Sequence, residues 1–181
     1  SVPVGRVIIM NTEEKYWDAE RFESLFEGGD TKLTVCHIRQ SEFDHGRTRH
    51  EGILKSDADV CICMTHDCVP YDRNLVKERL EALDASERVA AAYARQLPAA
   101  DCGVIERYTR DFNYPAVSRL KGKEDEDELG IKTYFCSNVC AAYRRDIYLK
   151  LGGFTKKTIF NEDMIFAGHA VEAGYQIAYA A

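Results

Sequence analysis

Ala58-Asp59-Val60-Cys61-Ile62-Cys63-Met64-Thr65-His66-Asp67 is the stretch that decides the fold. Up to Met64 it is apolar almost throughout. That is the pattern of a strand covered by helices on both faces, not of a strand with one wet face. The run then ends in Thr65-His66-Asp67. In open α/β sheets, ligands bind beyond the carboxyl ends of the strands. One short stretch therefore predicts a buried strand and sets an acid where chemistry is done.

On either side, strand-like and helix-like segments alternate. Val4 to Met10 is an apolar run between Pro3 and Asn11 and reads as a buried strand. Phe22, Leu25 and Phe26 recur at helical spacing before the Gly28-Gly29-Asp30 stop. Leu33 to Ile38 is the next strand. The polar, basic stretch Arg39 to Arg49 leads into a helix near Glu51 to Lys55. After Pro70 and Asp72, Leu75, Val76, Leu80 and Leu83 make a helical stripe, and Val89 to Ala94 is a strand. This βαβα order predicts a mostly parallel sheet flanked by helices. From Gln96 to Lys132 the regularity fails. Long, charged and aromatic segments of this kind tend to be functional or mobile. Tyr134 to Tyr143 reads as a strand, and Arg145 to Leu151 as a short helix ended by Gly152-Gly153. Glu162 to Ala173 is the final helix and Gln176 to Ala180 the final strand. With no repeat or linker, residues 1–181 read as a single domain.

A chain of 181 residues is long enough for one domain with a core of its own. Its net charge of −6 and pI of about 5.4 give no support for nucleic-acid binding, which needs a basic patch. Part of the acidity is the run Glu124-Asp125-Glu126-Asp127-Glu128, the pattern of a solvated loop. No apolar stretch approaches the ~20 residues that span a bilayer, and the start at Ser1 lacks the apolar core of a signal peptide. The seven cysteines mostly sit inside apolar, strand-like runs and read as reduced cytosolic thiols acting as small hydrophobes. Cys61 and Cys63 fall on one strand face, and the doubled Cys-x2-Cys pattern of a zinc site is missing.

Two acidic positions invite a chemical reading. A hard divalent cation takes oxygen ligands and commonly bridges one or two carboxylates to phosphates. Asp67 suits that role, and it also suits a turn before Pro70. The Asn161-Glu162-Asp163 run follows Leu151-Gly152-Gly153-Phe154 and opens the last helix, where acids are favoured by free N–H groups and the macrodipole.

Met64-Thr65-His66-Asp67-Cys68-Val69-Pro70 resembles the metal-binding acidic motif of GT-A-fold, family 2 glycosyltransferases. That motif usually reads Asp-x-Asp or Asp-x-Asp-Asp before a hydrophobic residue and Pro. Here Thr65 replaces the first Asp and Cys68 follows Asp67, a reduced form similar to that of the rhamnosyltransferase-like branch. Phe43-Asp44-His45-Gly46-Arg47-Thr48-Arg49-His50-Glu51-Gly52 resembles the family's Gly-x-x-x-Arg-Asn-x-Gly segment, with Arg49 at the Arg and His50 at the Asn. Arg95-Gln96-Leu97-Pro98, Glu106-Arg107 and Phe112-Asn113-Tyr114-Pro115 look like the connecting region of that branch. The run from Phe135 to Arg145, with Cys136-Ser137-Asn138-Val139-Cys140, matches the second-half strand. Gly152-Gly153-Phe154 and Asn161-Glu162-Asp163 match the acceptor-side motifs.

The resemblance implies an α/β, GT-A-like, Rossmann-type domain with an irregular acceptor-side insertion. Residues from about 1 to 95 would form the nucleotide-sugar donor half and about 96 to 181 the acceptor half. It implies inverting transfer of a sugar, with rhamnose as the best match, from a dTDP- or UDP-linked donor to a hydroxyl of a glycan or lipid-linked acceptor. Asp163 would be the catalytic base. Asp67 would hold Mg2+ or Mn2+, and Asp67, His66 and Arg49 would meet the donor diphosphate. Ser137, Asn138 and Glu162 would line the sugar or acceptor pocket. A cytoplasmic place at the inner face of a membrane follows, with any membrane contact made by other regions. The family's opening strand with Ile-Pro-x-Tyr-Asn and its late His are not matched, so the chain reads as shortened at both ends. An inactive carbohydrate- or nucleotide-binding module of the same fold is the non-enzyme alternative. A nucleotidyltransferase is the enzymatic one, although its Gly-rich phosphate loop is not seen.

Overall fold

The computed structural model describes residues 2–181. Seven strands and seven α-helices alternate for most of the chain: β1 (Arg6–Thr12), α1 (Ala19–Glu23), β2 (Lys32–Ile38), α2 (His45–Leu54), β3 (Val60–Met64), α3 (Leu75–Asp84), β4 (Val89–Ala94), α4 (Val104–Asn113), β5 (Arg119–Lys121), α5 (Glu126–Leu129), β6 (Cys140–Arg144), α6 (Arg145–Lys150), α7 (Glu162–Glu172) and β7 (Gln176–Ala180). The main sheet runs β3-β6-β4-β7-β5, and β1 and β2 pair as a separate parallel ribbon.

The expected α/β architecture stands, but the expected parallel sheet needs correction. In the main sheet only β4 and β7 are parallel. β6 runs antiparallel to both of its neighbours, and β5 antiparallel to β7. The alternation rule assumes that a helical crossover returns the chain to the same end of the sheet each time. The segment between β4 and β5 breaks that rule, delivering β5 from the opposite end; β6 enters in the same sense as β5, and the passage through α6 and α7 restores the first direction at β7.

Small side chains let helices press on both faces of the sheet. β4 is buried at every position, with Ala90, Ala91, Ala92 and Ala94 in its six residues. Ala91, Tyr93, Ala141, Tyr143 and Ile177 point to one side, where Phe166, Ala167 and Ala170 of α7 pack. Ala92, Ala142 and Ala178 point to the other, under Leu83 of α3. The first side is rich in rings. Tyr143, Tyr148, Phe154 and Phe166 meet one another at centroid distances from 4.9 to 5.9 Å. Aromatic pairs of this kind add about 0.5–1.5 kcal/mol each beyond simple burial.

Four local readings also change. α2 begins at His45, not near Glu51, because Asp44 caps it: its carboxylate accepts from Arg47 N at 2.6 Å. The segment expected to be irregular holds α4, β5 and α5. The acidic run is not a free loop. Asp125 accepts from Gly122 N at 2.8 Å and pairs with Arg119 at 2.8 Å, while Glu126 and Glu128 belong to α5. β6 is shorter than expected, because the chain up to Tyr134 forms a 3-10 turn and pairing begins only at Cys140. All seven cysteines are free thiols, with Cys136 and Cys140 buried.

Candidate active site

The α7 helix opens on Glu162 and Asp163, and neither carboxylate is spent on an ordinary N-cap. Asn161 takes a left-handed conformation at φ 68° and makes no side-chain cap. Glu162, buried at 4% exposure, turns its carboxylate back toward α2. There its Oε1 receives Arg49 Nη1 at 2.9 Å and Asn138 Nδ2 at 3.0 Å. Arg49 lies in the second turn of α2, one helical turn after His45, whose carbonyl also accepts from its Nη1 at 3.3 Å. The expected loop Arg at a helix start is thus a helical Arg, since the helix begins earlier than its polar sequence suggested.

Close approach of α2 and α7 depends on Gly46. A Cβ built there would stand 1.9 Å from the Thr155 carbonyl oxygen. Gly153 is equally constrained, with φ +72° and a Cβ position 2.5 Å from His50 Nδ1. The Gly152-Gly153-Phe154 turn therefore has a structural purpose: Tyr148 OH receives Phe154 N at 3.0 Å and lies 2.9 Å from His50 Nδ1.

Asp163 sits beside Glu162 and reaches the strand-side loop. Its Oδ2 accepts from Asn138 N at 2.8 Å and its Oδ1 from Met164 N at 2.8 Å. Burial pushes its pKa above the usual carboxylate value, with the neighbouring Glu162 charge adding to the rise against the pull of both N–H groups and Arg49. Asn138 is itself fixed, because Tyr143 OH donates to its Oδ1 at 2.7 Å. The result is a buried chain of polar contacts from Arg49 through Glu162 and Asn138 to Tyr143, with Asp163 held on the Asn138 backbone.

The loop after β3 joins the same place. Thr65 N donates to Val139 O at 3.2 Å, and Cys68 Sγ lies 3.2 Å from that oxygen. His66 and Asp67 project between these two tethers and are exposed. Asp67 is held below the usual carboxylate range, first by the nearby Thr65 hydroxyl and then by its own backbone N–H, with His66 and Arg110 helping; the Thr65 Oγ1 is buried and makes no hydrogen bond of ordinary geometry, so its effect on Asp67 is one of proximity. Thr65, the residue that departs from the doubled-acid motif, thus favours the ionised form of the acid that remains. Among the described residues, no cluster of three or more His, Cys, Asp or Glu side chains is arranged to hold a metal. An ionised, exposed Asp67 fits a Mg2+-type ion that takes its other ligands from phosphate oxygens and water.

Ser137 marks a second arm. Its hydroxyl accepts from Gln96 Nε2 at 2.9 Å; Gln96 also bonds Tyr114 OH, and Arg110 donates to Gln96 Oε1. Gln96, Arg110, Tyr114 and Tyr143 therefore belong to the site although sequence reasoning did not select them. Gln96, Tyr114 and Tyr143 fell inside matched segments, which was the only signal available. The structure brings together Arg49, Ser137, Asn138, Glu162 and Asp163 through direct contacts, and His66 and Asp67 through the Val139 tethers.

Comparison with known proteins bears on the family and the fold. The O-antigen chain rhamnosyltransferase RfbN of Salmonella typhimurium is 40% identical over 150 residues, which cover 82% of this chain and 48% of that protein. The O-antigen chain rhamnosyltransferase WbaN of Salmonella anatum is 41% identical over 148 residues, covering 81% and 47%. The chain thus spans about half the length of the curated relatives it matches. Crystal structures of S. aureus TarS residues 1–349, without and with UDP-GlcNAc, superpose with TM-scores of 0.65 and 0.61 at 13% and 11% identity. Both cover 97% of this chain, and 48% and 46% of TarS, and show a shared GT-A-like fold. The sequence profile of Glycosyl transferase family 2 matches residues 6–152, and with two relatives near 40% identity the chain belongs to that family.

Proposed function

We propose that this chain is the catalytic core of an inverting glycosyltransferase that moves a sugar, rhamnose by similarity to RfbN and WbaN, from a nucleotide diphosphate to a glycan hydroxyl. The observation that carries this reading is Asp163: a largely buried carboxylate with a raised pKa, fixed by Asn138 N and set beside an organised Arg49–Glu162–Asn138 network. A carboxylate raised in pKa yet held in place is suited to take a proton from a reacting hydroxyl.

In this mechanism Asp163 receives the acceptor hydroxyl proton as the acceptor oxygen bonds to the anomeric carbon. The bond from that carbon to the diphosphate oxygen breaks, and the diphosphate leaves with the electron pair. Attack from the face opposite the leaving group inverts the centre. Asn138, fixed in turn by Glu162, holds Asp163 and shapes the pocket, and Ser137 extends it toward Gln96. Residues from about 1 to 95 supply the donor half and the rest the acceptor half, although Arg49 reaches across to Glu162. A divalent ion, Mg2+ or Mn2+, would neutralise diphosphate charge when bound, with Asp67 as its protein ligand and His66 beside it. The donor would be dTDP- or UDP-linked, and the acceptor a polysaccharide or lipid-linked intermediate at the cytoplasmic face of a membrane. Among the described residues, no helix is long and apolar enough to cross a membrane.

Calorimetric titration with dTDP and UDP, with and without Mn2+, tests the reading. Saturable binding strengthened by the metal supports it. Absence of binding under both conditions would favour a module of the same fold that has lost donor recognition.

A further inference from the structure

The α4 helix turns an apolar stripe to solvent. Val104, Ile105, Tyr108 and Phe112 are all more than half exposed. The Tyr108 and Phe112 rings lie nearly parallel, 14° apart with centroids separated by 6.1 Å. Where α4 ends, a cavity of about 320 Å³ opens between it, β5 and the turn before Phe135. Phe112, Asn113, Lys132 and Phe135 line it, with Tyr93 and Tyr179 behind them. Its size is at the lower end of the range for small-molecule sites.

The walls are stiff and mostly aromatic. Tyr93 stands 5.6 Å from Phe135 and 5.1 Å from Tyr179, centroid to centroid. The buried Lys121 ammonium ties them together, donating to Tyr93 OH at 3.1 Å, Lys132 O at 3.0 Å and Phe135 O at 2.5 Å. Lys132 Nζ sits 3.3 Å from the centre of the Phe112 ring and donates to Phe112 O at 3.1 Å. Lys121 spends its three N–H donors on two carbonyls and a phenol, and Arg119 pairs with Asp125 and Glu128, while Lys132, with one N–H on the Phe112 carbonyl, has donors left for a ligand. Most of the lining residues are aromatic or aliphatic, so ring faces rather than an array of anion-binding donors dominate the contact a ligand would make. Aromatic faces interspersed with amide and ammonium donors suit a molecule that has apolar faces and hydroxyl edges.

Packed side chains join the cavity wall to the candidate active site. Phe135 is three residues before Asn138, and its ring is 5.6 Å from that of Tyr114. Tyr114 and Arg110, both from the α4 segment, meet Gln96, which donates to Ser137. We propose that this cavity binds one neutral pyranose ring of the acceptor glycan, away from the ring that receives the new sugar, and that Tyr108 extends the contact along α4. The proposal rests on the transferase reading for its biological meaning but not for its binding test.

Methyl α-L-rhamnopyranoside and methyl β-D-glucopyranoside serve as neutral probes, titrated into the chain and followed through backbone amide NMR shifts. Saturable shifts at Phe112, Asn113 and Lys132, with millimolar affinity, are expected for at least one probe. Phe112→Ala alters an exposed side chain, so the fold should persist and the shifts should disappear. Asp163→Asn should leave them in place. Shifts confined to Ser137, Asn138 and Asp163, no saturable shift with either probe, or unchanged binding in folded Phe112→Ala would each overturn the proposal. Nucleotide diphosphate binding on the same sample separates the two readings. Glycoside binding at Phe112 without diphosphate binding would sink the transferase reading and keep the cavity; the reverse result would do the opposite.

Discussion

Arg49 and Glu162, 113 residues apart in sequence, meet in a 2.9 Å ion pair that joins the helix after β2 to the helix that carries Asp163. Their side chains are 20% and 5% exposed. An Arg so placed is no longer a surface residue reserved for ligand. Removing it leaves the Glu162 carboxylate buried with Asn138 as its remaining partner. We expect Arg49→Ala to destabilise the domain toward the low end of the about 3–5 kcal/mol seen when one partner of a buried pair is deleted. Arg49→Ala combined with Glu162→Gln should recover part of that loss in urea melts, as a double-mutant cycle would report. A silent Arg49→Ala melt would show that the pair does not hold the fold and that Arg49 is kept for phosphate alone.

Asp163→Asn should nearly abolish transfer in the full-length enzyme, by about 10²–10⁴-fold, while donor affinity stays within a few-fold. Its pKa is raised in the fold, so the folded state holds the proton more tightly than the unfolded chain. Stability from this group is present at low pH and falls as pH climbs from the unfolded value through the folded one. The Asn variant escapes that loss, so its melting temperature at neutral pH should match or exceed wild type. The same shift places the acid limb of kcat/KM above 3.8, the ordinary value for this group. Glu162→Gln should move the limb to lower pH, because one neighbouring negative charge is gone. An acid limb that ignores Glu162→Gln would point to another base.

Asp67→Ala should weaken dTDP or UDP binding only when Mg2+ or Mn2+ is present. Asp67 is exposed and kept ionised by Thr65, so deleting it removes a metal ligand and little packing. Thr65→Ala should raise the Asp67 pKa and shift metal-assisted binding to higher pH. Equal losses in EDTA and in Mn2+ would assign Asp67 to the turn before Pro70 instead.

Gly46→Ala sets two effects against each other. Helix propensity alone favours Ala by about 1 kcal/mol inside a helix. The Thr155 carbonyl, 1.9 Å from the new Cβ, is backbone and has little room to yield. Overpacking of this kind costs about 1–3 kcal/mol. We expect the clash to win, lowering the urea midpoint and loosening the Arg49–Glu162 pair. A midpoint that rises would mean that α2 approaches the Thr155 turn less closely.

Different parts of the molecule were legible for different physical reasons. The Val89–Ala94 and Gln176–Ala180 strands match their predicted bounds, because two-sided burial leaves an apolar run between polar ends. The start of α2 did not show, since His45, Gly46, Arg47, Thr48, Arg49 and His50 carry no apolar stripe, and only the Asp44 cap marks it. The α4 helix does carry a stripe, but its charges and its place in a long irregular stretch hid it. Glu162 and Asp163 were singled out through motif order. Their contacts to Asn138 and Arg49, and the Gln96–Ser137 arm, link distant segments and leave no periodic trace.

The last expectation concerns Arg79, a fully charged residue in the middle of α3. Its side chain is 2% exposed, yet Nε and Nη1 have no hydrogen-bond partner in the protein. The nearest acid, Glu78, is 3.9 Å from Nη2 and itself half exposed, too distant and too wet to repay the cost of burial. Burial pushes the guanidinium pKa down, the direction expected of a cation that loses water without gaining a partner. Met has similar length, fits irregular space and carries no charge to desolvate. Replacing buried charged groups by apolar ones of like volume is often neutral or stabilising by about 1–4 kcal/mol. We therefore expect Arg79→Met to raise the urea midpoint with the slope unchanged, and Arg79→Lys to give no such gain. A lower midpoint for Arg79→Met would mean that the guanidinium has a partner, and that the 450 Å³ cavity it borders beside Tyr179 and Ala181 supplies it.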